Sequence, residues 1–197
     1  MENFKFNKPT PSDRELDWDK SKVILSKTDA KGTILYANEA FIDVCGYDEY
    51  ELIGQPHNVI RHPDMPKVIF KVLWDTIKRG ENIHAIVKNM AKSGRYYWVI
   101  TDFKTIYDDE GEIVSYFATR KSVPSDIITK YIVPLYRKLL NIERASGINS
   151  AEEYLNGFLE ERNKTYTEYV DYLVATGRDD KEKVKKGFFF GFFRKRR

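Results

Sequence analysis

Cysteine and long apolar runs are scarce in this sequence of 197 residues. Cys45 is the only cysteine, so the chain can form neither an intramolecular disulfide nor a cysteine-cluster metal site. The sequence has no stretch close to the ~18 consecutive apolar residues that a transmembrane helix needs. The residues after Met1 do not have the pattern of a signal peptide. These absences predict a protein of a reducing compartment, which we expect to be the cytoplasm.

Motifs for catalysis are also missing. The sequence contains no Gly-x-Gly-x-x-Gly or Walker loop, no Ser/His/Asp arrangement beyond chance, and no carboxylate–histidine cluster with metal spacing. Its three histidines are His57, His62 and His84. Because the pair His62 and Asp64 is too small a basis for an active site, we expect a protein that is not an enzyme and that holds no metal.

Charge is distributed unevenly along the chain, whose formal net charge is +3. Residues 178–197 carry nine basic and three acidic side chains, a net of +6, which leaves 24 basic and 27 acidic side chains, a net of −3, for the rest. The overall charge therefore does not indicate nucleic-acid binding. Five phenylalanines flanked by basic residues at 187–197 predict peripheral contact with the inner face of the cell membrane. The alternative is a disordered end, or phenylalanines that dock on a partner.

Hydrophobic periodicity predicts four regions: an N-terminal arm at 1–20, a mixed domain at 21–123, a helical extension at 124–177 and a basic, aromatic tail at 178–197. The mixed domain follows the order β-β-α-α-α-β-β-β. That order predicts an α+β fold, with a five-stranded antiparallel sheet and helices on one face, followed by the C-terminal helices. The strands are predicted to begin at residue 23 and to span 33–37, 83–90, 95–107 and 112–121.

Several local signals predict where the helices of the mixed domain begin and end. Asn38 is a suitable cap for a helix over 39–45, which Gly46 ends. Asp48 with Glu51 forms a capping-box pattern for one further turn. Pro66 is predicted to be the first residue of a helix over 66–78.

The extension carries its own boundary signals. Pro134 predicts a kink and Gly147 predicts a break. Ser150 with Glu153 forms a second capping-box pattern, which predicts one long helix from there to about Ala175.

Residues 54–66 (GQPHNVIRHPDMP) hold three prolines and two of the three histidines. Each proline fixes its own φ and keeps the preceding residue out of the helical region, so this stretch is neither a continuous helix nor a central strand. A stiff, charged segment in the middle of a domain is suited to be a ligand wall. It is equally suited to be an ordered connection whose polar groups bond to each other.

The mixed domain resembles a PAS domain, through the hairpin and helix at residues 32–41 and the segments CGY at 45–47 and ELIG at 51–54. A more specific similarity is to the PAS domain of the bacterial aerotaxis receptor family. It rests on residues 54–66, 74–80 (WDTIKRG), 86–89 (IVKN), 97–99 (YWV) and 133–136 (VPLY). Receptors of that family continue through a membrane anchor, a HAMP domain and a methyl-accepting signalling domain. This sequence shows none of these, so we expect a stand-alone PAS sensor.

The resemblance implies a non-covalent FAD cofactor, and it implies the residues that hold it. Phe70 and Trp74 would flank the isoalloxazine ring, while an asparagine amide would meet its pyrimidine edge. Cationic and N–H donors would meet the pyrophosphate. Asn38 could instead serve only as a helix cap, and Asp64 could simply pair with Arg61. The full set of implied cofactor-binding residues is Asn38, Arg61, His62, Asp64, Phe70, Trp74, Asn89 and Tyr97.

The function implied is that of a redox or oxygen sensor for energy taxis, which signals in trans to a chemoreceptor-like, methyl-accepting partner. We expect the signal to leave through the outer face of the sheet, at Trp98, Phe103 and Tyr116, and through the flanking helices. Two alternatives stay open. One is a haem-binding PAS gas sensor that uses one of the three histidines. The other is a ligand-free PAS adaptor that forms a homodimer through a helix at 151–175.

Overall fold

The computed structural model describes residues 8–180, and the chain divides into two units between Val123 and Pro124. The first unit contains a five-stranded sheet in the order β2-β1-β5-β4-β3, in which all neighbouring strands are antiparallel. This arrangement confirms the predicted α+β fold. The strands are β1 (Ile24–Asp29), β2 (Ile34–Ala37), β3 (Ala85–Met90), β4 (Tyr96–Tyr107) and β5 (Ile113–Ser122).

Strand β3 begins two residues later than the pattern predicts, at Ala85. The backbone N–H of Phe103, on the neighbouring strand, donates to the Asn82 side chain at 3.0 Å. At this end of the sheet, the Asn82 side chain therefore accepts the hydrogen bond that the backbone of a neighbouring strand would otherwise accept.

Helices α1 (Glu39–Cys45), α2 (Glu49–Leu52) and α3 (Lys67–Lys78) lie between β2 and β3, with a 3₁₀ turn at His57–Ile60. Asn38 caps α1 and Gly46 ends it in the left-handed region, at φ 70°, as predicted. The capping box of Asp48 and Glu51 is also confirmed. Pro66 itself has an extended ψ of 135°, so α3 begins one residue later than predicted.

The strand register corrects the predicted outer face of the sheet. Phe103 and Tyr116 line a cavity on the helix-covered face. Side chains alternate along a strand, so Trp98 and Phe103, five residues apart on β4, must point to opposite faces. Tyr116 pairs with Thr105, two residues from Phe103, and therefore shares the inner face.

The described part of the N-terminal arm extends the sheet. Strand β5 ends at Ser122, opposite Val99, and leaves the first residues of β4 without a neighbour on that side. Leu16 N–H donates to the Tyr96 carbonyl at 2.6 Å, and Tyr96 N–H donates to the Arg14 carbonyl at 3.0 Å. These bonds continue the β pairing along the arm, and Trp18 is buried edge-to-face against Tyr97, with ring centroids 6.4 Å apart.

The second unit is helical, as expected. It contains α4 (Ser125–Ile127), a π-helical turn (Ile128–Ile132), α5 (Val133–Glu160) and α6 (Tyr166–Thr176). The π turn ends two residues before Pro134, whose missing N–H disturbs the regular bonding of the helix. Gly147 interrupts α5 with φ 87° and ψ 177°, which confirms the predicted break.

One predicted helix is wrong in its extent. A helical segment does begin after the break at Gly147, within three residues of Ser150, but it ends at Glu160 and does not reach Ala175. The chain turns after Glu160, Asn163 takes a positive φ of 51°, and a capping box at Thr165 starts α6. The pattern of Thr165 followed by Glu168 was a second start signal that the sequence interpretation overlooked.

Among residues 8–180, no helix is both long and apolar enough to cross a membrane. The segment at 187–197, with its predicted membrane contact, lies outside the described residues.

Candidate functional site

The inner face of the sheet and the helices enclose a cavity of about 260 Å³. Small-molecule pockets commonly have volumes of roughly 300–1,000 Å³. This cavity can therefore take a flat ring system, and a larger ligand would extend through its mouth. Lys31 and Asn58 are exposed at that mouth, whereas Asn89, Thr101 and Arg120 lie buried at the opposite end.

The proline-rich stretch crosses this cavity from one edge of the sheet to the other. At the β2 edge, Ile34 N–H donates to the Gln55 carbonyl at 2.9 Å, and Gly54 N–H donates to the Ile34 carbonyl at 2.8 Å. At the β3 edge, Arg61 forms a bridge with Asn89. The stretch is therefore an ordered connection that also lines the cavity, because fixing its two ends holds the residues between them beside it.

One face of α3 supplies the apolar wall. Phe70, Leu73, Trp74 and Ile77 recur at helical spacing and all line the cavity. Trp74 packs edge-to-face on Tyr116, with ring centroids 5.8 Å apart. Gly32 permits this position of the indole, because a Cβ at Gly32 would lie 3.0 Å from Trp74 Cη2. The wall is flat and aromatic, as a planar ligand requires.

Three residues that line the cavity carry unpartnered polar atoms. Among the described residues that line the cavity, Asn89 Nδ2, Thr101 Oγ1 and Arg61 Nε are buried without a hydrogen-bond partner. Buried polar groups in folded proteins are nearly always bonded. Three such atoms around one cavity indicate a ligand that carries hydrogen-bonding groups.

The cavity is positively charged. Lys31, Arg61 and Arg120 line it, and none of its described lining residues is acidic. The Arg61 guanidinium lies 3.5 Å from the centroid of the Phe70 ring, and burial lowers the pKa of Arg61. These groups favour a ligand with phosphate or carbonyl oxygens.

A buried cluster around Arg120 was missed by the sequence interpretation. Arg120 donates from Nη1 to Ser26 Oγ at 2.9 Å, and its Nη2 lies 2.8 Å from His57 Nε2. Burial and the neighbouring Arg120 charge hold the pKa of His57 well below its usual range, so His57 is a neutral acceptor. Burial also lowers the pKa of Arg120, to about 10, which keeps it charged at neutral pH. The sequence did contain a signal for this cluster. Tyr116, Ala118 and Arg120 are every second residue of one predicted strand, so their side chains lie on the same face of the sheet.

The structure brings four of the eight predicted cofactor residues to the cavity, namely Arg61, Phe70, Trp74 and Asn89. It does not bring the other four there. The Asn38 side chain accepts from Leu25 N–H at 2.9 Å and donates to the Val23 carbonyl at 2.9 Å, besides capping α1. Tyr97 is fully buried beside Trp18, and burial raises the pKa of its hydroxyl.

His62 and Asp64 also lie away from the cavity lining. His62 Nδ1 accepts from Asp64 N–H at 3.1 Å, and burial with the nearby Lys88 charge lowers the pKa of His62 to about 4. Asp64 is about half exposed and pairs with Lys88 Nζ at 2.9 Å, rather than with Arg61. Both residues therefore fasten the proline-rich stretch to β3.

Of the three histidines considered for haem, only His57 lines the cavity, and its Nε2 faces the Arg120 guanidinium. His84 Nε2 lies 3.1 Å from Asp102 instead. Within residues 8–180, no three His, Cys, Asp or Glu side chains are grouped for a metal ion. Cys45 is buried, does not line the cavity, and has a pKa raised by burial to about 11.

Part of the chain is similar to known proteins. Residues 34–120 match the model of the family described as "PAS fold". The aerotaxis receptor of Escherichia coli is 43% identical over 124 residues, which cover 63% of this chain and 24% of the receptor. The nitrogen fixation regulatory protein of Klebsiella pneumoniae is 28% identical over 105 residues, which cover 53% of this chain and 21% of that protein. The chain thus spans about a quarter or less of the length of these relatives.

A solved light-oxygen-voltage domain, studied with a flavin analogue, has a similar fold. Its TM-score is 0.52 at 20% sequence identity, and the match covers 60% of this chain and 90% of that domain.

Proposed function

Since residues 34–120 form a PAS domain similar to that of the aerotaxis receptor, we propose that this protein binds FAD in the cavity and senses redox state or oxygen for energy taxis. The observation that carries the proposal is the cavity itself. It combines an aromatic wall on α3, three unpartnered polar atoms, and three cations with no acidic residue among the described lining.

The cavity residues fit the parts of a flavin. Phe70 and Trp74 offer flat surfaces for the ring. Asn89 Nδ2 and Thr101 Oγ1 lie at the buried end and can bond to ring heteroatoms. Arg61, which is only partly buried, is suited to the pyrophosphate. The flavin supplies the electron chemistry, and the protein holds the ring and controls its surroundings.

The response to reduction would be a change in the contacts that these residues make with the ring. Such a change alters the balance between two states of the surrounding protein. The proline-rich stretch is a suitable carrier, because it touches the cavity through Arg61 and is bonded to both sheet edges. We propose a chemoreceptor-like, methyl-accepting protein in trans as the partner, on the basis of the similarity to the aerotaxis receptor.

The test compares FAD binding by the unaltered protein, Arg61→Gln and Arg79→Gln. Arg79 is a matched control, because it is an exposed arginine on the same unit that pairs with Glu81 at 2.9 Å, away from the cavity. We expect Arg61→Gln to weaken FAD binding about 10-fold or more, since a hydrogen bond to a charged group contributes about 1.5–3 kcal/mol. Arg79→Gln should bind FAD as the unaltered protein does. Equal affinity of all three proteins would contradict the proposed site.

A second comparison uses His62→Gln. Because His62 is buried outside the cavity lining, we expect this change to alter FAD affinity less than Arg61→Gln does. A larger loss of FAD from His62→Gln, in a protein that stays folded, would restore His62 as a direct ligand.

A further inference from the structure

Arg120 differs from the other two cations of the cavity in its burial and its partners. Its exposed fraction is 3%, whereas Lys31 is exposed at the mouth and Arg61 is partly exposed. Its two hydrogen-bond partners, Ser26 and His57, are both neutral. No carboxylate among the described residues pairs with it. The positive charge is therefore held in place but not compensated.

A buried charge without a counter-charge is costly for the folded protein. The two bonds to Ser26 and His57 use two of the five N–H groups of the guanidinium and fix its plane. The rest of the group borders the cavity, where it can meet an electron-rich atom of a ligand.

The size of the cavity decides which part of the ligand reaches Arg120. A volume of about 260 Å³ suits a ring system and leaves no room for a whole dinucleotide. The apolar ring gains most from the aromatic wall inside, and phosphates gain most from cations that stay in contact with water at the mouth. Arg120 therefore lies where the ring would be, and Lys31 lies where the phosphates would be.

This inference rests on the proposed function. We propose that Arg120 is a specificity-determining residue that recognises the carbonyl-bearing edge of the flavin ring, and that Lys31 recognises the phosphate portion. Ser26 and His57 are positioning residues that orient the guanidinium.

The test measures the affinities of the apoprotein for riboflavin, FMN and FAD by quenching of flavin fluorescence. Arg120→Gln should weaken the binding of all three flavins by a similar factor, about 10- to 100-fold, because they share the ring. Lys31→Gln should weaken FMN and FAD and leave riboflavin unchanged, because riboflavin has no phosphate. Arg120→Lys keeps the charge and should retain more affinity than Arg120→Gln.

Arg120→Met is a second neutral variant, in case the glutamine variant fails to fold. Its side chain is of comparable length, and circular dichroism would establish the fold of each variant. If Arg120→Gln and Arg120→Met no longer bind FMN and FAD but still bind riboflavin, Arg120 contacts the phosphate and the inference is wrong. It is also wrong if they bind all three flavins normally, although the proposed function then stands. If the unaltered protein binds none of the three, the proposed function and this inference fail together.

Discussion

Replacing Asn38 with alanine tests the structural role that the fold gives to a residue predicted to hold the cofactor. Its Oδ1 accepts from Phe41 N–H at 3.0 Å and from Leu25 N–H at 2.9 Å, while its Nδ2 donates to the Val23 carbonyl at 2.9 Å. One side chain therefore caps α1 and ties that helix to the start of β1. Asn38→Ala removes all three bonds at once.

The magnitude follows from these bonds. Loss of a helix cap costs about 1 kcal/mol, and each of the two further bonds contributes about 1 kcal/mol. The expected loss is thus about 3 kcal/mol, a large part of the ~5–15 kcal/mol that stabilises a typical domain. Asn38→Asp keeps the acceptor oxygen and loses the Nδ2 donor, so it should lose less stability than the alanine variant.

Urea unfolding followed by tryptophan fluorescence is the suitable assay. All three tryptophans, Trp18, Trp74 and Trp98, lie in the first unit, so their signal reports on that unit alone. FAD affinity, measured below the unfolding transition, should stay near that of the unaltered protein. A stable Asn38→Ala variant that no longer binds FAD would refute this reasoning and place Asn38 at the ligand.

Three further predictions concern the cavity and the stretch beside it. Gly32→Ala should weaken FAD binding and lower stability by about 1–2 kcal/mol, because Gly32 has φ +90° and the new Cβ would crowd Trp74; equal urea midpoints and affinities would contradict this. Stability should fall between pH 7 and 5, since the pKa values of His62 (about 4) and His57 both lie below 6.5 in the folded state, so the unfolded chain binds more protons in that window. His62→Gln should remove about 1–2 kcal/mol of this loss and leave the part that His57 contributes, and an unchanged slope would exclude His62 as a source. Asp64→Asn should cost about 1–3 kcal/mol, because the Lys88 side chain that it pairs with is only 11% exposed, and it should leave FAD affinity unchanged, because Asp64 does not line the cavity; loss of FAD would show a direct role.

Local signals were sufficient to predict most elements of the first unit. Asn38 and Gly46 limit α1 because a cap and a left-handed residue act within one helical turn. The pattern failed at the second boundary inside the extension. Apolar residues continue at helical spacing from Leu155 to Leu173, so periodicity alone does not reveal the turn at Asn163 that separates α5 from the capping box at Thr165.

The candidate site was only partly predictable, because its halves come from distant parts of the chain. The family pattern led to Arg61 and Trp74. Arg120 reaches Ser26, 94 residues away, only because β1 pairs with β5 in the middle of the sheet. That pairing is a tertiary property that no local window contains, and so the most buried charge of the cavity was overlooked.

The absorption spectrum of the purified protein tests the central claim most directly. The account predicts a yellow protein with flavin bands, about one FAD per chain after reconstitution, and bleaching of those bands by dithionite. A colourless protein that cannot be reconstituted with FAD would contradict it, and a Soret band that disappears in His57→Ala would establish a haem sensor instead.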